Sequence, residues 1–274
     1  MTDKVVFEKS YNEALELFKL HRNWVTAVLS PEMPWPNQLQ LIHYQKQDLL
    51  LVPETNDQFR SVSSQFTKST SYEVVADIIL QFLSALSWAY DSPIQVESWH
   101  GPGLPYGAKC LPNSFRYHTV MTSKIQPDLI PVPPSDEARR ALGYYREALA
   151  LKKNHAGYSF LSFFKIINLV YGRGSDQKSF IKRNVSKISR KQTAQRIAEI
   201  QTNPSIPIEE YLYENGRCAI AHSGANNQPY FDPENFKDIV RIGKDIPVIK
   251  ELCEILIRDH FGIVTPRSLN FFLS

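Results

Sequence analysis

Residues 130–135 read Ile130-Pro131-Val132-Pro133-Pro134-Ser135, and these six positions decide how the chain is organised. Three prolines in four positions exclude a helix and disfavour a central strand, because proline fixes φ, lacks an N–H and holds its predecessor extended. The segment reads as a stiff linker. Residues 131–134 then separate an N-terminal domain, 1–130, from a C-terminal domain, 135–274. Ser135, followed by Asp136 and Glu137, has the chemistry of an N-cap with an acidic first turn.

Downstream of the linker the clear patterns are helical. Ala138, Ala141, Leu142, Tyr145, Ala148 and Leu149 recur at helical spacing. Residues 158–170 are apolar or aromatic almost throughout, which predicts a central helix ended by Gly172 and Gly174. Residues 179–200 form a polar, basic helical stretch, and 208–214 a short helix. Asp232 as N-cap and Pro233 at the first helical position open a further helical region. Residues 248–260 close the bundle. Upstream the pattern is mixed: a strand at 4–8, a helix at 12–20, a hairpin with arms 39–44 and 49–52, and a third strand within 60–67. Residues 72–90 predict a buried helix, and 99–112, rich in Gly and Pro, a loop. The fold class is an α+β N-terminal domain followed by an all-α helical bundle.

The chain has 274 residues, 43% hydrophobic and 22% charged, which suits a globular protein of one large or two small domains. The longest apolar candidate, 74–88, is interrupted by Asp77, Gln81 and Ser84, so no membrane span is expected. MTDKVVFEKS lacks a signal-peptide core. Cys110, Cys218 and Cys253 are odd in number and far apart, giving no disulfide framework and no zinc spacing. A cytoplasmic protein without cofactor or metal is expected. Net charge is +3, but unevenly spread: −3 over residues 1–130 and +6 over 131–274. The second half thus tolerates an anionic partner.

The sharpest local feature is Asn215-Gly216-Arg217-Cys218-Ala219-Ile220-Ala221-His222-Ser223-Gly224. In an α-helix Arg217 and His222 would stand roughly 140° apart, bordering one groove without stacking on one face. An imidazole suits transfer of a 2′-hydroxyl proton, or protonation of a departing 5′-oxygen. A guanidinium suits a scissile phosphate and its developing charge. The plainer reading has His222 capping a helix end and Arg217 paired with Glu214. A second feature is the basic run from Lys178 to Arg196, with seven cations and no carboxylate. Lys187, Arg190, Lys191 and Arg183 would share one side of a helix there. With Lys182 they are the expected RNA contacts; the alternative is a solvated or partner-binding face. Trp99-His100-Gly101-Pro102-Gly103 has no P-loop pattern. His21, His43, His118, His155 and His260 are scattered, with no metal-ligand spacing.

An Arg and a His separated by four residues, late in a helical domain, resemble the HEPN superfamily, whose catalytic members are metal-independent ribonucleases. The segments Ala141-Leu142-Gly143-Tyr144-Tyr145-Arg146-Glu147-Ala148-Leu149-Ala150, 160–169 and Ala219-Ile220-Ala221-His222-Ser223 are similar to the methylamine-utilisation protein MauJ-like group within it. Phe82-Leu83-Ser84-Ala85-Leu86-Ser87-Trp88 is similar to that group as well. The resemblance implies a HEPN-like bundle over about half the chain and a homodimer whose protomers each offer Arg217 and His222 to a shared groove. It also implies RNA cleavage to a 2′,3′-cyclic phosphate, in stress or phage defence. Cys218 departs from the pattern, because the residue after the Arg is commonly polar, often Asn. The alternative is a non-catalytic dimerisation or accessory protein.

Overall fold

The computed structural model describes residues 6–20, 23–55, 59–103, 124–202, 206–222 and 229–264. Contacts divide the chain into two compact units, one running to Pro133 and the other spanning Pro134–Val264. The first is α+β and the second is helical.

The N-terminal unit comprises β1 (Val6–Lys9), α1 (Tyr11–Leu20), β2 (Trp24–Pro31), β3 (Gln40–Tyr44), β4 (Gln47–Val52), β5 (Ser61–Gln65), α2 (Tyr72–Tyr90) and β6 (Ile94–Gly103). The strands form one sheet in the order β1-β3-β4-β5-β2-β6, each neighbouring pair antiparallel. The predicted hairpin is β3–β4. Its two turn residues, Gln45 and Lys46, have φ of 47° and 68°, the paired left-handed conformation of a tight hairpin turn. Leu49, Leu50, Leu51 and Val52 are all fully buried. That continuous run is explained by cover on both faces, since successive side chains point to opposite sides. Leu41, Leu50, Val52 and Trp24 pack with Ala14 of α1, whereas Tyr44 meets Phe82 of α2 edge-to-face, ring centroids 5.5 Å apart.

Two sequence expectations change here. Trp24–Pro31, passed over in the sequence, is the strand between β5 and β6. Residues 99–103 are not loop but the end of β6, paired with β2 as Ala27↔Trp99 and Thr26↔His100. Gly101 and Pro102 suggested a break, yet β6 is an edge strand, where proline is tolerated and a bulge absorbs the irregular register. Residues 104–112, the rest of the expected loop, lie outside the described residues. By length and composition alone α2 is long and apolar enough to cross a membrane, a test that the buried core helix of a globular unit also passes. Its Val75, Ile79, Phe82, Leu83 and Leu86 are buried within this unit.

In the helical unit, Ser135 caps α3 (Asp136–Leu151) as predicted, its hydroxyl accepting from the Ala138 N–H at 3.1 Å. The aromatic stretch forms α4 (Ala156–Val170), which packs against α3 and against α9 (Phe236–Phe261) with Phe160, Phe163, Phe164, Ile166 and Ile167 buried. Gly174 does not end α4; it begins α5 (Gly174–Asn184). The basic stretch is not one helix. It is α5, a 3-10 turn at Val185–Lys187, an extended step, and α6 (Lys191–Gln201). The buried Glu251 carboxylate makes that break, accepting from the Ser189 and Arg190 N–H groups at 2.8 and 3.3 Å. The α9 helix is capped by Asn235, not Asp232, and runs through Pro247. Asp232 instead accepts from the Glu234 N–H at 2.8 Å, in a turn before the helix.

Candidate active site

The Arg217–His222 segment ends a helical run built from α7 (Ile208–Glu210), a π-helical stretch (Tyr211–Cys218) and α8 (Ala219–Ala221). Ile208, Leu212, Gly216 and Ala219 face the core. Gly216 is there for want of space: an added Cβ would lie 2.6 Å from Phe160 Cζ. The wide turn shows in the Ala219 N–H, which reaches back to the Glu214 carbonyl. Such stretches are uncommon and recur at functional sites. The α-helical angle between Arg217 and His222 therefore does not apply, because Arg217 lies in the π stretch and His222 leaves the helix.

His222 is the residue at which the run ends, its backbone extended and its N–H donating to the Cys218 carbonyl at 2.9 Å. Its side chain is exposed. Ser223 and Gly224 lie outside the described residues. Arg217 is half-buried and does not pair with Glu214. Its guanidinium lies over the Tyr213 ring, 5.7 Å from the centroid, and donates to the Cys218 Sγ at 3.5 Å. Among the described residues no carboxylate neutralises it. Lys178 approaches the same ring at 5.4 Å, and Phe164 meets it edge-to-face. Burial raises the Tyr213 phenol above its ordinary value; the neighbouring Cys218 sulfur adds to this, and Arg217 opposes it. Tyr213 belongs to no motif in the sequence, although an aromatic residue four positions before an arginine signals such stacking on a helix.

The expected RNA contacts are distributed differently. Lys182 lies 3.7 Å from Glu209, Lys187 3.3 Å from Asp259, and Arg190 2.7 Å from Glu254. Lys178 pairs with Glu210 at 3.0 Å, which raises its ammonium above the ordinary value. Only Arg183 and Lys191 of the five are exposed with no ion pair among the described residues. The break at 185–190 also keeps Arg183 and Lys191 off a common helix. The run is charged in sequence but largely countered in space, because α7 and α9 bring carboxylates that lie far away along the chain.

A hollow of about 230 Å³ adjoins the end of α8, lined by Asn154, His155, Tyr158, Ile220 and Phe231 among others. His155 is the residue preceding α4, and Tyr158 is 64% exposed at the rim. Cys253 is buried, its thiol donating to the Phe163 carbonyl at 3.0 Å, and burial pushes it well up. His43 pairs with Asp48 at 2.8 Å in the other unit. Cys110, His21 and His118 lie outside the described residues. No group of three or more His, Cys, Asp or Glu among the described residues is placed to hold a metal ion.

No curated protein and no solved structure matches the chain. Residues 141–258, from within α3 to near the end of α9, match a family model described as methylamine utilization protein MauJ. The helical unit, with the Arg217–His222 run inside the matched span, is thus similar to the MauJ family.

Proposed function

We propose that the helical unit is a HEPN-like, metal-independent endoribonuclease that acts as a dimer. His222 is the general acid and base, and Arg217 holds the scissile phosphate. The 2′-oxygen attacks phosphorus as His222 accepts its proton, and the bond from phosphorus to the 5′-oxygen breaks. That oxygen takes up a proton, leaving a 2′,3′-cyclic phosphate and a 5′-hydroxyl. One observation carries the reading: a guanidinium held by an aromatic ring and a thiol rather than by a carboxylate, five residues before an exposed imidazole on one helical run. Stacking fixes the guanidinium without consuming its charge. Arg183 and Lys191 supply further contacts to RNA, and the N-terminal unit restricts the substrate. A place in stress or phage defence follows from the same reading.

A second reading, a non-catalytic interaction protein, is favoured by the ion pairs at Lys182, Lys187 and Arg190 and by Cys218 in place of a phosphate-orienting amide. Mixed RNA incubated in EDTA with wild type, His222→Ala and Arg217→Ala separates the two. The nuclease yields cyclic-phosphate ends that both variants lose by at least about 100-fold, within the range assigned to general acid–base catalysis. Absence of wild-type cleavage across pH and RNA type, with a folded dimer in light scattering, selects the interaction protein.

A further inference from the structure

Between α6 and the first turns of α9 lies an open cleft of about 290 Å³, lined by Arg196, Phe236, Lys237, Val240, Arg241 and Lys244. Four of the six carry positive charge and none carries a carboxylate. Lys237, Arg241 and Lys244 recur at i, i+4 and i+7, which sets them along one face of α9. That spacing is the signal these three residues carry in the sequence.

The two arginines are held from behind. Arg196 donates through Nε to Asp245 at 2.8 Å, through Nη1 to Glu199 at 3.0 Å and through Nη2 to the Tyr211 hydroxyl at 3.2 Å. Arg241 donates through Nη1 to the Asn215 carbonyl at 2.8 Å and lies 3.5 Å from Asp238. A guanidinium has five N–H donors in a rigid fork, so each arginine keeps donors beyond those the fold uses. Lys237 and Lys244 are exposed, with no ion pair among the described residues. Phe236, at the rim, is 77% exposed, a large apolar ring left in water beside the cations.

Positioned guanidinium groups, two exposed ammonium groups and an uncovered ring suit a ligand that joins a multiply charged anion to a flat apolar group. We propose that this cleft binds a nucleotide, its phosphate held by Arg241, Lys237 and Lys244 with Arg196 at the back, and its base against Phe236. The site does not involve Arg217 or His222, so it stands whether or not the protein cleaves RNA.

Calorimetric titration of the full chain with AMP, adenosine, pyrophosphate and a 5′-phosphorylated trinucleotide provides the test. AMP binds saturably and weakens as salt rises, and adenosine binds at least about tenfold more weakly, as loss of charge-assisted contacts requires. Lys237→Glu/Lys244→Glu, exposed positions whose exchange leaves the melting temperature near wild type, abolishes binding. Phe236→Ala weakens AMP but not pyrophosphate. His222→Ala binds AMP as wild type does, which separates this site from the nuclease reading. Tighter binding of the trinucleotide than of AMP identifies a strand end as the ligand, and equal binding a free nucleotide. No saturable binding of either, or binding indifferent to the double substitution, overturns the proposal.

Discussion

Gly216 shows how one residue sets the geometry of the candidate site. Its missing side chain lets the π stretch close on Phe160, which is fully buried and stacked on Phe164 with ring centroids 6.2 Å apart. With so little room for the ring to move, Gly216→Ala overpacks the contact and destabilises the protein by about 1–3 kcal/mol. Phe160→Leu in the same chain recovers part of that loss, since it removes the ring edge that the new methyl meets. Urea denaturation of both variants checks this; a single substitution that leaves the midpoint unchanged would show that the stretch yields freely. Tyr213 works at the same scale. Its ring receives Arg217 and Lys178, the lysine being paired with Glu210 as well, and a methyl at Gly174 would collide with its hydroxyl.

At the scale of elements, α9 organises the helical unit. Along 26 residues it meets α4, α6, α3 and α5 and carries most of the buried charge. Glu254 accepts from Tyr145 at 2.9 Å and lies within 3.0 Å of both Lys250 and Arg190, so this carboxylate ties α3 and the segment before α6 to α9. Asp245 is fully buried, bonded to Arg196 and to the Tyr211 hydroxyl at 2.9 Å. Burial raises its carboxyl above the ordinary value, outweighing the attraction of Arg196. Removing one partner of such a pair strands the other charge away from water. Arg196→Met is therefore expected to cost about 3–5 kcal/mol, and Arg196→Met with Asp245→Leu to recover most of it. Equal losses in the single and double variants would show that the pair is not the cause.

For the whole molecule, acid is the useful probe, because the two units place their carboxylates differently. In the N-terminal unit burial pulls the Asp48 carboxyl upward, but hydrogen bonds from Lys9 at 2.6 Å and His43 at 2.8 Å hold it below its ordinary 3.8. A depressed folded value means that the folded state binds the proton less readily than the unfolded chain. The associated stability is present above 3.8 and is lost as pH falls through the lower folded value. Asp245 has the opposite sign, and its protonation favours the folded helical unit as acid is added. Melting temperature measured from pH 5 downward falls for wild type and falls less steeply for Asp48→Asn. Parallel curves would remove Asp48 from the account. The family match lies within the helical unit, as do Arg217 and His222, and RNA cleavage is the measurement that decides the proposed activity.

Sequence alone determined what depends on neighbours along the chain. The helical cap at Ser135 follows from residues three apart. The β3–β4 hairpin follows from alternation about a short polar turn, and the buried α4 from an unbroken apolar run. Tertiary structure decided what depends on residues brought from elsewhere. Glu251 splits the basic stretch into two helices, and Glu209, Glu254 and Asp259 counter cations that look free in sequence. Partner β2 makes Gly101 and Pro102 part of an edge strand, and Tyr213, not Glu214, receives Arg217. Local preference is worth tenths of a kcal/mol to about one per residue, whereas stranding a buried charge costs about 3–5 kcal/mol, so the distant partner prevails at these positions.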